Sequence, residues 1–217
     1  MSARHIDLNT FKRKDHFDYF RTLAYPYVGV TCEVEITNFY HFLKENHYPI
    51  FLTLLWCVSR AANDVPEFRY RIQQDQIIEF DFCDTSHTVA KEDETYAYCV
   101  LKADMDLHSF LKIAQSKHEA AKTSGTIDED PEEALSMIFI STLPWMYFTD
   151  LIQPVPIPAD SNPRITWGKI QERNGIVTMP VNVLCHHALV DGKHIANFFE
   201  RLNIRMAEAI ASGDIHE

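Results

Sequence analysis

Two adjacent histidines near the C-terminus carry the strongest chemical signal in this sequence. His186 and His187 are followed by Asp191 and Gly192, within the stretch CHHALVDGKH at 185–194. A neutral imidazole is the usual general base near pH 7, so one of these rings could take a proton from a substrate. The apolar run before the pair predicts a buried strand, and the residues after it predict a helix. We therefore expect polar groups held at a strand end, where a rigid scaffold fixes them and a substrate reaches them.

The same stretch has two alternative interpretations. A pair of histidines can be purely structural, with one ring in solvent and the other in a buried hydrogen bond. It can also bind a metal, because Cys185, both histidines, Asp191 and His194 are ligand types. Neighbouring strand residues point to opposite faces, so His186 and His187 are not expected to share one ion. No second Cys/His pair at zinc-finger spacing occurs in the sequence, and we therefore expect no metal.

Composition excludes several classes of partner. The chain has 217 residues and a hydrophobic fraction of 46%, which suits one large domain or two small ones. Its net charge of −11 argues against nucleic acid and against an anionic membrane surface. No apolar segment occurs in residues 1–10, and the longest apolar stretch, 50–58, is too short to span a bilayer. Scattered cysteines without CxxC spacing indicate reduced thiols in a cytoplasmic protein, namely Cys32, Cys57, Cys83, Cys99 and Cys185.

Residue patterns predict strands and helices in a mixed order. Strands are expected at 28–36, 71–72, 76–82, 86–90, 95–102, 137–141, 164–171 and 175–184. Helices are expected at 11–23, 38–45, 50–63, 106–123 and 195–210, the second capped by Thr37. Asn174-Gly175 predicts a type I′ hairpin turn, 125–133 an acidic loop and 150–163 an irregular segment. There is no GxGxxG or P-loop, and we predict an α/β two-layer sandwich with one mixed sheet covered mainly on one face by helices.

Four further segments occur in a characteristic order along the chain. They are RKDHF at 13–17, PEFR at 66–69, STLPW at 141–145 and ITWGK at 165–169. In this order, and with the HHxxxDG ending, the sequence resembles the chloramphenicol acetyltransferase family along nearly its whole length. HHxxxDG alone also occurs in the acyltransferase cores of 2-oxoacid dehydrogenase complexes, and the other segments narrow the match. The resemblance implies one acetyltransferase domain over 1–217 that moves an acetyl group from acetyl-CoA to a hydroxyl of chloramphenicol or a related small molecule.

The resemblance also implies a role for each matching residue. His187 would be the general base that takes the proton of the acceptor hydroxyl. Ser141 would donate a hydrogen bond to the oxyanion of the tetrahedral intermediate, and Thr166 would hold a water in the site. Asp191 would pair with Arg13 and so fix the loop that carries the base. Each of these residues also has an ordinary structural interpretation when it is considered alone.

The acceptor pocket is where the sequence departs from the family. Val28 stands where the family commonly has a pocket tyrosine, whereas Tyr96 and Tyr98 fall where the family has an aromatic followed by a small residue. We expect Tyr98 to narrow the pocket. His186 is expected to be structural and to face away from His187, and Cys185 is expected to pack rather than react. The resemblance further implies a homotrimer with sites between subunits, the base from one and much of the acceptor pocket from its neighbour.

Two other functions remain open from the sequence. The first is a non-catalytic protein that binds a drug or CoA on the same fold, which would need neither Ser141 nor His187 in catalytic geometry. The second is the catalytic core of a multienzyme acyltransferase. That role usually comes with Ala- and Pro-rich linkers, and none precedes the first motif in this sequence.

Overall fold

The computed structural model describes residues 2–128 and 130–213. Glu129, in the predicted acidic loop, lies outside the described residues. The strands are β1 (Ala3–Ile6), β2 (Tyr27–Glu35), β3 (Tyr70–Gln73), β4 (Gln76–Phe80), β5 (Thr85–Ala90), β6 (Tyr96–Leu101), β7 (Ile138–Leu143), β8 (Arg164–Gly168), β9 (Gln171–Arg173) and β10 (Ile176–His186). The helices are α1 (Lys14–Phe20), α2 (Thr37–Glu45), α3 (Ile50–Asn63), α4 (Leu107–Ser124), α5 (Pro131–Leu135) and α6 (Gly192–Gly213), with a 3-10 helix at Pro66–Arg69.

The larger sheet has the strand order β2-β10-β8-β7-β5-β6, and the short β9 pairs with the start of β10. Strand β7 runs parallel to β5 and β8, whereas the other neighbours are antiparallel. The sheet is therefore mixed, as predicted. Its long central strand β10 lies between β2 and β8, and the histidine pair follows directly from it.

Helices cover one face of this sheet. The register places Ile140, Ile165 and Val183 in one row across three strands, and all three side chains are buried. The next residue in that row is His87, which contacts Phe51 of α3 and His118 of α4. Because side chains alternate along a strand, the residues next to this row point to the opposite face. The predicted two-layer arrangement is confirmed.

A buried arginine connects the smaller sheet, β1-β4-β3, to the larger one. Arg71 of β3 is fully buried, and its guanidinium donates to the carbonyl oxygens of Phe68, Leu135 and Met137 at 2.9, 2.8 and 2.7 Å. Such charge-assisted hydrogen bonds offset the cost of burying the cation. Leu135 and Met137 belong to the segment that enters β7, so Arg71 fixes the start of the strand that carries Ser141.

Three local predictions were wrong, two of them because of a contact distant in the sequence. Thr37 is the first residue of α2 and not its cap, and its hydroxyl accepts a hydrogen bond from Val177 N at 3.0 Å. The predicted strand 164–171 is divided into β8 and β9. At Gly168 an added Cβ would lie 2.9 Å from the carbonyl oxygen of Met146, so a close approach of backbone requires glycine there. The predicted acidic loop contains α5, which Asp130 caps.

The predicted hairpin turn is confirmed. Asn174 and Gly175 both have positive φ, 54° and 79°, as a type I′ turn requires. Within the described ranges, no helix is both long and apolar enough to cross a membrane.

Candidate active site

The ring of His187 is fixed in one tautomer. Its Nδ1 lies 2.9 Å from the carbonyl oxygen of Val190, and a carbonyl oxygen can only accept a hydrogen bond. In the neutral ring Nδ1 therefore carries the proton, and the lone pair is on Nε2. Phe20 of α1 stacks on the imidazole, with ring centroids 3.8 Å apart and an angle of 25° between the planes. The turn and the helix together leave Nε2 as the reactive edge of a half-buried ring.

The backbone of the turn is bonded to the segment before β2 and to itself. His187 N donates to the carbonyl oxygen of Pro26 at 2.7 Å. Leu189 N and Val190 N both donate to the carbonyl oxygen of His186 at 3.0 Å. The turn therefore holds Val190 O where the imidazole can donate to it.

The structure brings Arg13 and Asp191 together beside this turn. Arg13 Nη1 forms an ion pair with Asp191 Oδ2, and Nη2 donates to the carbonyl oxygen of His187 at 3.4 Å. Burial opposes ionisation of Asp191, but His194 and Arg13 outweigh it and hold the pKa of the carboxyl below its usual value. Asp191 also accepts a hydrogen bond from Lys193 N at 3.0 Å. The ion pair thus connects the N-terminal helix to the start of α6 across the base.

His194 extends the support to the PEFR segment. Its Nδ1 accepts a hydrogen bond from Asp191 N at 3.1 Å, and its Nε2 lies 3.5 Å from Glu67 Oε1. Arg69 from the same segment donates to Glu79 Oε1 of β4 at 2.7 Å. Two of the sequence motifs therefore meet around the turn, a role that sequence reasoning did not assign to Pro66–Arg69.

His186 and Cys185 have structural environments. His186 is 4% exposed, its Nδ1 accepts from Ala188 N at 3.3 Å, and its ring packs on Tyr27. Burial lowers the pKa of His186 to about 4, so the ring is neutral at pH 7. Burial raises the pKa of the Cys185 thiol, which is fully buried, and a protonated thiol is a poor nucleophile.

A cavity of about 970 Å³ lies against the sheet face that the helices leave open. Ser141, Thr166, Tyr96 and Tyr98 line it, and the two tyrosine rings lie 5.9 Å apart between centroids. Ser141 and Thr166 are direct neighbours across β7 and β8, and Ser141 Oγ lies 3.4 Å from Thr88 Oγ1. A few polar groups in an apolar and aromatic wall are typical of a small-molecule site.

His187 is not among the residues that line this cavity. It lies five residues beyond Asn182, which pairs with Thr166, which in turn pairs with Ser141. Residues advance by about 3.3 Å along a strand and strands lie about 4.8 Å apart, so His187 and Ser141 are separated by roughly 15–20 Å within one chain. Val28 likewise lies outside the cavity, because it stands on β2 opposite Cys185, at the His187 end of the sheet.

Sequence reasoning missed the polar residues that surround Thr166. On this face of the sheet Thr166 contacts Gln153, and Gln153 contacts Asn182. Asn182 in turn contacts Thr31, and Ser141 contacts Thr88. Asn182 carried a signal, since it is an amide inside an otherwise apolar strand. Among residues 2–128 and 130–213, no three His, Cys, Asp or Glu side chains gather closely enough to hold a metal ion. All five cysteines lie in the described part of the chain and are free.

Two solved acetyltransferase structures share the fold of this chain. The chain superposes on a dihydrolipoamide acetyltransferase from Azotobacter vinelandii with a TM-score of 0.66 at 17% identity, covering 91% of this chain and 87% of that one. At this identity the likeness shows a shared fold. A solved chloramphenicol acetyltransferase superposes with a TM-score of 0.82 at 27% identity, covering 94% of this chain and all of that one, 100%.

Sequence comparison identifies the family of this chain. A family model described as chloramphenicol acetyltransferase matches residues 1–203. "Chloramphenicol acetyltransferase 2" from Haemophilus influenzae is 31% identical over 212 residues, which are 94% of this chain and 97% of that protein. The chain therefore belongs to the chloramphenicol acetyltransferase family.

Proposed function

We propose that this protein is an acetyl-CoA-dependent O-acetyltransferase that acetylates a hydroxyl of chloramphenicol, with His187 as general base. The observation that carries the proposal is the 2.9 Å contact between His187 Nδ1 and Val190 O, which leaves a lone pair on Nε2. Membership of the chloramphenicol acetyltransferase family and the similarity to its members support the two substrates, acetyl-CoA and chloramphenicol.

The proton moves twice in the proposed reaction. His187 Nε2 accepts the proton of the acceptor hydroxyl while the hydroxyl oxygen bonds to the carbonyl carbon of the thioester. The carbonyl oxygen then carries negative charge, and the Ser141 hydroxyl donates a hydrogen bond to it. Removal of one such donor costs about 2.7–4 kcal/mol of transition-state stabilisation. When the C–S bond breaks, the CoA thiolate takes the proton back from the imidazolium and leaves as the thiol.

The remaining site residues hold this arrangement in place. Thr166, beside Ser141 on the next strand, supplies a hydroxyl that binds a water at the reacting centre. Arg13 and Asp191 keep the turn that carries His187 against α1. Tyr96 and Tyr98 form part of the wall that receives the acceptor.

The site is proposed to form between two copies of the chain. We infer a homotrimer in which His187 of one subunit faces the cavity that Ser141 and Thr166 of a neighbour line. The separation of His187 and Ser141 within one chain supports this assembly. So do Trp145 and Ile152, two apolar residues of the cavity wall that are 72% and 90% exposed in the isolated chain. We also propose that residues 1–217 form a single domain and that the protein works in the cytoplasm, where its free thiols stay reduced.

The test is release of free thiol from acetyl-CoA in the presence and absence of chloramphenicol. We expect release only when the acceptor is present. His187→Ala should reduce turnover by at least about 10²-fold while the variant still folds and unfolds cooperatively, since general-base catalysis contributes about 10²–10⁴-fold. His41→Ala, an exposed histidine on α2, is the matched control and should behave as the wild type.

Two results would overturn the proposal in different ways. If His187→Ala keeps most of the wild-type turnover, the base is misassigned. If chloramphenicol binds saturably in calorimetry but no thiol is released by the wild type, the protein is a non-catalytic binder on the same fold.

A further inference from the structure

A line of directed hydrogen bonds crosses the cavity face of the sheet. Thr166 Oγ1 donates to Gln153 Oε1 at 3.4 Å, Gln153 Nε2 donates to Asn182 Oδ1 at 2.6 Å, and Asn182 Nδ2 donates to Thr31 Oγ1 at 2.9 Å. Asn182 is 3% exposed and Thr166 is 2% exposed. The register brings Thr166, Asn182 and Thr31 side by side on β8, β10 and β2. Gln153 is the one member from outside the sheet.

The orientations of the two amides in this line depend on each other. Each amide has one accepting oxygen and one donating nitrogen. If the amide of Gln153 alone were turned round, its oxygen would face Asn182 Oδ1 and its nitrogen would face Thr166, which breaks the short 2.6 Å bond. The orientations of the two amides are therefore coupled, and in the structure Gln153 Oε1 faces the Thr166 hydroxyl.

This arrangement determines what Thr166 can offer a substrate. A threonine hydroxyl has one proton and two lone pairs. Because the proton is directed at Gln153 Oε1, the lone pairs remain for a donor in the cavity, such as a bound water. Thr166 then has no proton for the oxyanion, and that donation falls to Ser141 on the neighbouring strand.

We propose that Gln153, held by Asn182, is a positioning residue that keeps Thr166 as a hydrogen-bond acceptor at the reacting centre. This inference rests on the proposed acetyl transfer. It also explains why an amide stands inside the apolar strand β10, where a buried polar group is unfavourable unless it is bonded. Gln153 lies in the irregular segment between β7 and β8, so Asn182 additionally anchors that segment to the sheet.

The experiment is a double-mutant cycle of Gln153→Met, Thr166→Val and the two combined. Both substitutions keep the shape of the side chain and remove its hydrogen bonding. We expect Gln153→Met to lower kcat for chloramphenicol about two- to tenfold, the worth of one neutral hydrogen bond, with little change in KM. The double variant should be no slower than Thr166→Val alone, because Gln153 acts through Thr166. Gln115→Met, on the exposed face of α4, is the matched control.

Additive losses in this cycle, or a Gln153→Met variant with wild-type kcat, would overturn the positioning role. A second cycle, of Gln153→Met with Asn182→Leu, follows thermal unfolding and needs no turnover. We expect the two losses of stability to be non-additive, and additive losses would show that the line of bonds does not act as a unit. A wild type that releases no thiol would instead reject the proposed function, while the unfolding cycle would still report on the network.

Discussion

Replacing Arg13 with methionine tests how strongly the ion pair with Asp191 supports the turn that carries His187. The two side chains are 17% and 31% exposed, so the pair is neither on the surface nor fully buried. Surface pairs contribute about 0.2–1 kcal/mol, and breaking a fully buried pair costs about 3–5 kcal/mol. Methionine keeps the aliphatic stem and removes both the ion pair and the 3.4 Å bond to the carbonyl of His187. We expect the free energy of unfolding to fall by about 1–3 kcal/mol.

Differential scanning calorimetry and the thiol-release assay measure the two consequences. The melting temperature should fall by about 2–4 °C for each kcal/mol lost, the scale for a domain of this size. Displacement of a catalytic group by about 1 Å can cost 10²-fold in rate, so kcat should fall about ten- to hundredfold. Lys14→Met is the matched control, because Lys14 pairs with Asp18 across one turn of α1 with both side chains 46% exposed. If Arg13→Met differs from Lys14→Met neither in stability nor in kcat, the turn does not depend on the ion pair.

Two further predictions concern the same turn. Phe20→Leu should lower kcat by up to about tenfold, because an aromatic contact such as the stack on His187 is worth about 0.5–1.5 kcal/mol. Phe20→Tyr keeps the aromatic ring and should keep the wild-type rate. Equal values of kcat for the two variants would show that the stack does not contribute to catalysis. The second concerns acid. The pKa of Asp191 is lower in the folded chain, so its contribution is complete above its unfolded pKa of about 4 and is lost as the pH falls through the folded pKa. The stability difference between wild type and Arg13→Met, from urea unfolding between about pH 3 and pH 7, should therefore narrow toward low pH, and a constant difference would contradict the ion-pair assignment.

Much of the fold could be predicted because local pattern and tertiary context agree. The alternation at 28–36 predicted β2, and the apolar run at 176–184 predicted β10. Asn174-Gly175 marked the hairpin turn that the structure contains. In these segments the burial pattern that the sequence displays is the pattern the sheet requires, so periodicity alone was sufficient.

Two features were missed because they depend on partners distant in the sequence, and a third was missed although its signal is local. The charged strand β1 has no apolar alternation, and it forms because it pairs with β4, where Arg4 meets Glu79 at 2.7 Å. Thr37 was predicted to cap α2, but its hydroxyl instead accepts a hydrogen bond from Val177 N of β10. Asp130-Pro131 was a legible start signal for α5, which the acidic composition of the segment obscured.

The residues of the site could be predicted from the sequence, but their arrangement in space could not. The motif order identified His187, Ser141 and Thr166 as candidates, and the structure shows Ser141 beside Thr166 in a cavity from which His187 is absent. No spacing along the chain encodes that separation, since it results from the strand order of the sheet. Gln153 could not have been found either, because its partner Asn182 lies 29 positions away and no periodicity relates a loop to a strand.

The central claim is that His187 of one subunit and Ser141 of another form one site, and mixing two inactive variants tests it directly. His187→Ala and Ser141→Ala are each expected to lose nearly all thiol release when assembled alone. When both chains are co-expressed at equal levels, random closed-ring assembly should restore about one quarter of the sites, each with both wild-type residues. Recovery of activity toward that fraction is the result we predict. Mixed assemblies, verified by differential tags, that stay as inactive as either parent would contradict a site shared between subunits.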